Sequence, residues 1–230
     1  MILNHIVPAT LLLMWCVCKA RKSPTIDRWK NPCQGEIAKG SSTFYSAQEV
    51  ESRQTLIHKL HIKSLEVLNT VIKLKMIYAT QRIRDDDLEM ELEFQGWIPG
   101  FSSPRNTKLR SGHLSLKKTL IDVYNKTSTA IVFLEQMHSE EGVIRTSKSL
   151  FNDESHILEK LYSFLCQLRI GIWSENAHID EYVSRSVMPR EFLWMESESL
   201  RHSRDFVILR DTLDLFLEFS ETFGVHGRYF

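Results

Sequence analysis

The fold is decided by residues 114–173, LSLKKTLIDVYNKTSTAIVFLEQMHSEEGVIRTSKSLFNDESHILEKLYSFLCQLRIGIW. Leu116, Leu120, Val123, Thr127, Ala130, Leu134 and Met137 recur at steps of four and three, and so do Leu158, Leu161, Leu165, Leu168 and Ile172. Such steps place side chains on one face of an α-helix, as a seam that packs about 20° from antiparallel against a neighbour. The first run predicts a helix from about Leu114 to Ser139, closed by Gly142. The second predicts a helix from about Asp153 to Trp173, with Asn152 or Asp153 as its N-cap. A link of only about ten residues makes the two antiparallel neighbours.

Two more helices flank this pair. Upstream, residues from about Tyr45 to Arg82 contain neither Pro nor Gly, and Ile57, Leu60, Leu65, Leu68, Val71, Ile72 and Met76 give a broad apolar face. Downstream, Phe206, Leu209, Leu213, Phe216, Ser220 and Phe223 step by three and four, with Leu217 alongside. That helix is expected from about Arg204 to Phe223, with Ser203 as N-cap and Gly224 closing it. Ile208, Leu215 and Phe219 point away from its stripe, to be covered by a crossover segment or left for a partner.

Four helices with one apolar face each call for a bundle. About 30 residues join the first helix to the second, and about as many join the third to the fourth. Segments of that length need a task inside a compact domain, and crossing the length of a bundle is one. Two long crossovers around a short middle link predict an all-α bundle of up-up-down-down topology.

The N-terminus opens with Ile6-Val7-Pro8-Ala9-Thr10-Leu11-Leu12-Leu13-Met14-Trp15-Cys16-Val17-Cys18. That run has the length of a secretory signal and is too short to span a bilayer. Cleavage is expected near Ala20, which makes residues 1–20 a signal peptide, 21–43 a flexible leader and 44–230 the helical domain. The 29 basic and 29 acidic side chains balance, so no broad basic field invites nucleic acid or anionic membrane. Cys33 and Cys166 remain after cleavage. In an oxidising compartment two cysteines pair; the alternative is two free thiols. The sequon Asn125-Lys126-Thr127 places Asn125 on the expected solvent side of its helix, as a glycan acceptor.

No phosphate-binding glycine loop, His-Glu-x-x-His or nucleophile elbow occurs in the sequence, so no enzyme activity, cofactor or metal is expected. His58 and His61 share a helix face without an evident third ligand. The acidic run Asp85-Asp86-Asp87 with Glu89, Glu91 and Glu93 lacks the spaced ligands of a calcium loop and reads as a solvated face. Aromatics stand in both long connections: Phe94, Trp97 and Phe101 in one, Phe192 and Trp194 in the other.

The four periodic segments, the signal-like N-terminus and the long crossovers together resemble a long-chain helical cytokine of the interleukin-six and ciliary-neurotrophic type, a group that includes invertebrate unpaired-type ligands. The last helix, Arg204-Asp205-Phe206-Val207-Ile208-Leu209-Arg210-Asp211-Thr212-Leu213-Asp214-Leu215-Phe216-Leu217-Glu218-Phe219, is similar in character to the fourth helix of that group. The resemblance implies a secreted ligand, a monomer when free, that binds transmembrane receptors and signals through receptor-associated kinases to STAT factors. Type I interferons are the alternative: they share a bridge from near the mature N-terminus to the third helix, but their Cys-Ala-Trp-Glu helix is missing here. A secreted helical carrier is a further alternative. The resemblance transfers no motif residue by residue. Expected receptor contacts therefore come from side-chain character: Phe192 and Trp194 before the last helix, Arg204 and Arg210 on its first turns, and Arg228, Tyr229 and Phe230 after it.

Overall fold

A computed structural model describes residues 27–33, 52–83, 115–144 and 147–224. The signal-like segment, the acidic run, the aromatics of the first connection and the tail Arg228-Tyr229-Phe230 lie outside the described residues. Four helices form the body: α1 (Arg53–Arg82), α2 (Leu116–Ile144), α3 (Lys148–Ser174) and α4 (Glu198–Gly224). Among the described residues, three single 3-10 turns, Arg28–Lys30, Arg185–Val187 and Arg190–Phe192, accompany them. Among the described residues no helix is long and apolar enough to cross a membrane.

Helix starts follow serine caps. Ser52 Oγ accepts the Thr55 N–H at 3.2 Å, Ser147 Oγ that of Leu150 at 3.3 Å and Ser197 Oγ that of Leu200 at 3.3 Å. The expected caps at Asn152 or Asp153 and at Ser203 therefore fall inside helices, and α3 and α4 each begin about a turn and a half earlier than apolar spacing indicates. Gly142 does not end α2, which runs on to Ile144. α3 closes through Asn176, whose φ of 51° is left-handed, a conformation asparagine tolerates better than most residues.

The helix pairing identifies the topology. α1 packs on α4 and α3, and α2 packs on α3 and more lightly on α4. At one end of the bundle, here the foot, a Cβ on Gly171 of α3 would meet Leu56 of α1 at 2.9 Å and Leu120 of α2 at 3.4 Å. Only a residue without a side chain allows three helices to converge so closely. At the foot, too, His61 Nδ1 of α1 donates to the Ser220 carbonyl of α4 at 3.0 Å. At the head, Arg82 of α1 binds Glu141 of α2 at 2.8 Å, and Tyr78 of α1 donates to Asp205 of α4 at 3.1 Å. α1 and α2 thus run from foot to head, and α3 and α4 return. The bundle is up-up-down-down, with every neighbouring pair antiparallel.

The interior is filled by aromatic and aliphatic side chains. Phe164 of α3 meets Phe216 and Phe219 of α4 at centroid separations of 5.2 and 6.1 Å. Ile208, Leu215 and Phe219, expected off the stripe, are at its centre with no more than 1% exposure. Leu213 and Phe206 are half-buried and Leu217 is exposed. The buried face of α4 is rotated from its apolar pattern because it also carries Arg204, Asp205, Asp211 and Thr212.

A strap formed by residues 27–33 lies against α2, α3 and the connection between α3 and α4. Trp29 is fully buried and its indole N–H donates to the Val183 carbonyl at 2.9 Å. Its own carbonyl accepts from Tyr124 of α2 at 2.5 Å, and Arg169 of α3 donates to the Lys30 carbonyl. The Arg185 guanidinium lies 4.5 Å over the Trp29 ring and pairs with Asp27 at 3.0 Å and Glu135 at 2.7 Å. Arg28 pairs with Glu159 and lies 4.0 Å over the Tyr162 ring. Cys33 is bonded to Cys166 of α3, with Cα atoms 5.1 Å apart.

The bridge closes a loop across a sequence separation of 133 residues. Replacing both cysteines by Ala should lower unfolding free energy by about 2–5 kcal/mol, read from urea transitions, with helicity retained because the helices carry their own core. Alkylation of both thiols in the native oxidised protein would refute the pairing.

Candidate interaction surface

The head of the bundle gathers charged side chains into its interior. Arg204, on the second turn of α4, is fully buried. Its Nε and Nη2 donate to Asp205 at 2.8 and 2.6 Å, its Nη1 and Nη2 to Glu140 of α2 at 3.1 and 2.9 Å, and Nη1 also to the Phe192 carbonyl at 2.6 Å. Burial alone would lower the pKa of this guanidinium, but Asp205 and Glu140 raise it above its ordinary value. Around it, Tyr78 binds Asp205, Gln136 donates to Glu140 at 2.6 Å, and Arg82 pairs with Glu141. Glu141 also accepts the Ser147 N–H at 2.9 Å, tying the end of α2 to the start of α3.

Three arginines, Arg82, Arg201 and Arg204, meet Glu140, Glu141 and Asp205. Glu154 of α3 is a further carboxylate with 2% exposure. His138 Nδ1 reaches its Oε2 at 3.4 Å, and Oε1 is buried without a hydrogen-bond partner among the described residues. Burial pushes the Glu154 carboxyl up to about 7; nearby Asp205 and Glu141 add to the rise and the bond to His138 opposes it. Burial also raises Asp205, to about 6, against the pull of Arg204.

Beside this ionic layer several apolar side chains reach the surface, among exposed polar residues that include Glu196, Ser197, Glu198 and Ser199. Trp194 in the connection is 68% exposed, Val143 and Ile144 at the end of α2 are 71% and 38% exposed, and Leu200 on the first turn of α4 is 36% exposed. Glu140 and Arg204 hold the two helix ends together, so Val143, Ile144 and Leu200 crown the same end. The connection is tied there through the Phe192 carbonyl.

The expected contact residues separate accordingly. Trp194 is presented to solvent. Phe192 is half-buried, packed against the core and anchored to Arg204 through its backbone. Arg204 is a correction: it is a buried tie between α2 and α4, with no surface to offer a receptor. Arg210 is partly exposed and pairs with Asp211 at 2.8 Å. Asn125 is also corrected: it is half-buried with its amide oxygen enclosed, rather than on an open face. Next to it Thr127 is fully buried and donates to the Val123 carbonyl at 2.7 Å. Val143, Ile144 and Leu200 lie beyond the helices that apolar spacing predicts, which close α2 at Gly142 and open α4 at Arg204.

Comparison of the chain with protein-family models, with curated proteins and with solved structures finds no match in any of the three.

The raised Glu154 sets the sign of a pH dependence. Its folded pKa exceeds the ordinary carboxyl value of 4.5, so between about 4.5 and 7 the folded chain holds a proton that the unfolded chain releases. Its destabilising effect is absent below that window, grows as pH rises through it and is full above it. Stability should fall by about 1 kcal/mol from pH 6 to pH 8 on this account, and Glu154→Gln should flatten the profile and match or exceed the wild type at pH 8. Urea midpoints at the two pH values decide this; equal slopes in both proteins would exclude Glu154 as the cause.

Proposed function

We propose that the chain is a secreted signalling ligand of the helical cytokine kind, acting by binding cell-surface receptors that signal through associated kinases to STAT factors. The observation that carries this reading is the helix arrangement. Foot-to-head α1 and α2, returning α3 and α4, and antiparallel contact between every neighbouring pair form the architecture that cytokines use. A filled aromatic interior and a strap joined to α3 by Cys33–Cys166 agree with it. In this reading the apolar side chains exposed at the head, Trp194 among them, form one receptor contact. Aromatic side chains supply interface anchors because they desolvate a large area with few rotatable bonds.

The reading is tested with labelled protein on cells of the source organism, followed by chemical cross-linking and a blot for phosphorylated STAT. Saturable binding and a phosphorylation response are expected; absence of both at micromolar ligand would reject the function. Trp194→Ala should weaken binding about thirtyfold, equivalent to about 2 kcal/mol, with helicity and Tm unchanged. Arg204→Ala should behave differently. It leaves Asp205 buried without the Arg204 cation and Glu140 with the longer contact to Arg201 at 4.0 Å, and should cost about 3–5 kcal/mol of folding stability, with a fall in Tm. If Trp194→Ala binds within twofold of wild type, the head is not the contact.

A further inference from the structure

α1 is apolar on two faces. Leu60, Val67, Val71 and Leu74 fill the bundle with no more than 1% exposure. On the outer side, Ile62, Leu65, Asn69, Ile72, Met76 and Ala79 recur at steps of three and four. Ile62 is 43%, Ile72 39% and Met76 67% exposed; Asn69 is also exposed, and Leu65 and Ala79 are half-buried. Sequence periodicity assigns Ile72 and Met76 to the core; the structure turns them outward. The partly exposed Phe206 and Leu213 and the exposed Leu217 of α4 widen the same face, with Lys75 of α1 lying 4.7 Å over the Phe206 ring.

We propose that this outer face of α1 is a homodimer interface, in which α1 packs antiparallel against α1 of a second copy about a two-fold axis. The three-four stripe, about 25 Å long at 1.5 Å per residue, has the repeat that interlocks side chains between two helices. Asn69 in its middle is the kind of polar core residue that specifies register in such pairs. The rim charges select the arrangement. Glu66 and Lys73 stand on the α3 side of the stripe, 46% and 72% exposed at their side chains. In the antiparallel register that sets Asn69 against Ile72 of the second copy, Glu66 faces Lys73 of the second copy, and symmetry makes that pair twice. Sliding one helix by a heptad sets Glu66 against Glu66 or Lys73 against Lys73. A parallel pairing sets Lys73 against Leu68. One arrangement therefore buries the stripe and pairs its rim charges, and it is isologous, as closed two-fold dimers are. Within one copy Glu66 and Lys73 hold only surface pairs, to Lys160 at 3.1 Å and Asp153 at 3.9 Å. Those pairs contribute little and yield readily.

This dimer departs from the expectation of a free monomer and does not depend on the receptor reading. Sedimentation velocity on purified oxidised protein, from 1 to 200 µM, is the test. A concentration-dependent doubling of mass is expected. Ile72→Asp should abolish it with helicity and Tm retained. Glu66→Lys and Lys73→Glu should each weaken association roughly tenfold by turning two attractive pairs into repulsive ones, and the double exchange E66K/K73E should restore it to within about threefold. The exposed charge variants keep the test decisive if Ile72→Asp fails to fold. A monomer throughout the range would overturn the proposal and assign the stripe to another protein or another segment of the chain. A dimer indifferent to the charge exchanges would overturn it too, by placing the interface elsewhere.

Discussion

The structure depends most on one guanidinium. Arg204 enters the head of the bundle with no access to water, and its nitrogens donate to two carboxylates and a carbonyl. Those acceptors come from α2, from α4 itself and from the connection that precedes α4. α2 and α4 are the neighbouring pair in lightest contact in the ring of four helices. An ion pair with good bidentate geometry there does what side-chain packing does between the other pairs. The requirement is reciprocal: a desolvated arginine needs both acids, and each buried acid needs the arginine. Tyr78 extends the same set to α1, so all the helices that meet at the head, except α3, share it directly.

The middle of the molecule is organised differently. From Tyr124 to Leu134, α2 is buried at every position but Asn125, although among the described residues only α3 and α4 pack on it as α-helices. Further cover comes from the strap and from the connection between α3 and α4. The strap contributes Trp29, and the connection contributes Tyr182, which meets Tyr124 edge-on at 6.2 Å, and Arg185, which reaches Glu135. Thr127, Ser128 and Thr129 suit this enclosure because each hydroxyl bonds the carbonyl four residues back and needs no outside partner. Two arginines stack on Trp29 and Tyr162 while pairing with acids, so the polar edge of the strap is as fixed as its apolar anchor.

The number of helices, their order and the relative lengths of their connections were legible in sequence, because seams in α2 and α3 repeat without interruption and only a crossover accounts for long links. The Cys33–Cys166 bond was legible from the count of cysteines left after the signal-like segment. Helix starts were not, since Ser147 and Ser197 cap through positions that precede any apolar residue of the seam. The orientation of α4 was misread for a physical reason: apolar spacing cannot anticipate a core that contains Arg204, Asp205 and Asp211, whose burial depends on partners distant in sequence. α1 was misread in the opposite way. It has apolar residues on both sides, and periodicity alone does not say which side the other three helices take. Of the expected contact residues described, Trp194 is on the surface, and Val143, Ile144 and Leu200, exposed apolar residues of the same end, lie in helical turns beyond the shorter predicted helices.

The strap has a practical consequence. Cys166 lies on the foot-ward half of α3, and Arg28 meets Glu159 nearer its middle, so Asp27 stands at the flank of the bundle rather than at either tip. A fluorophore, affinity handle or carrier domain fused ahead of Asp27 therefore joins the molecule at its waist. From there the rod-like body separates the attachment from the crown around Trp194 by a distance set by the helices themselves, about 1.5 Å for each residue of α3 between Glu159 and Lys148. Immobilisation through that flank keeps the crown clear of the attachment point, which makes the N-terminal side a suitable tether for display or surface measurements.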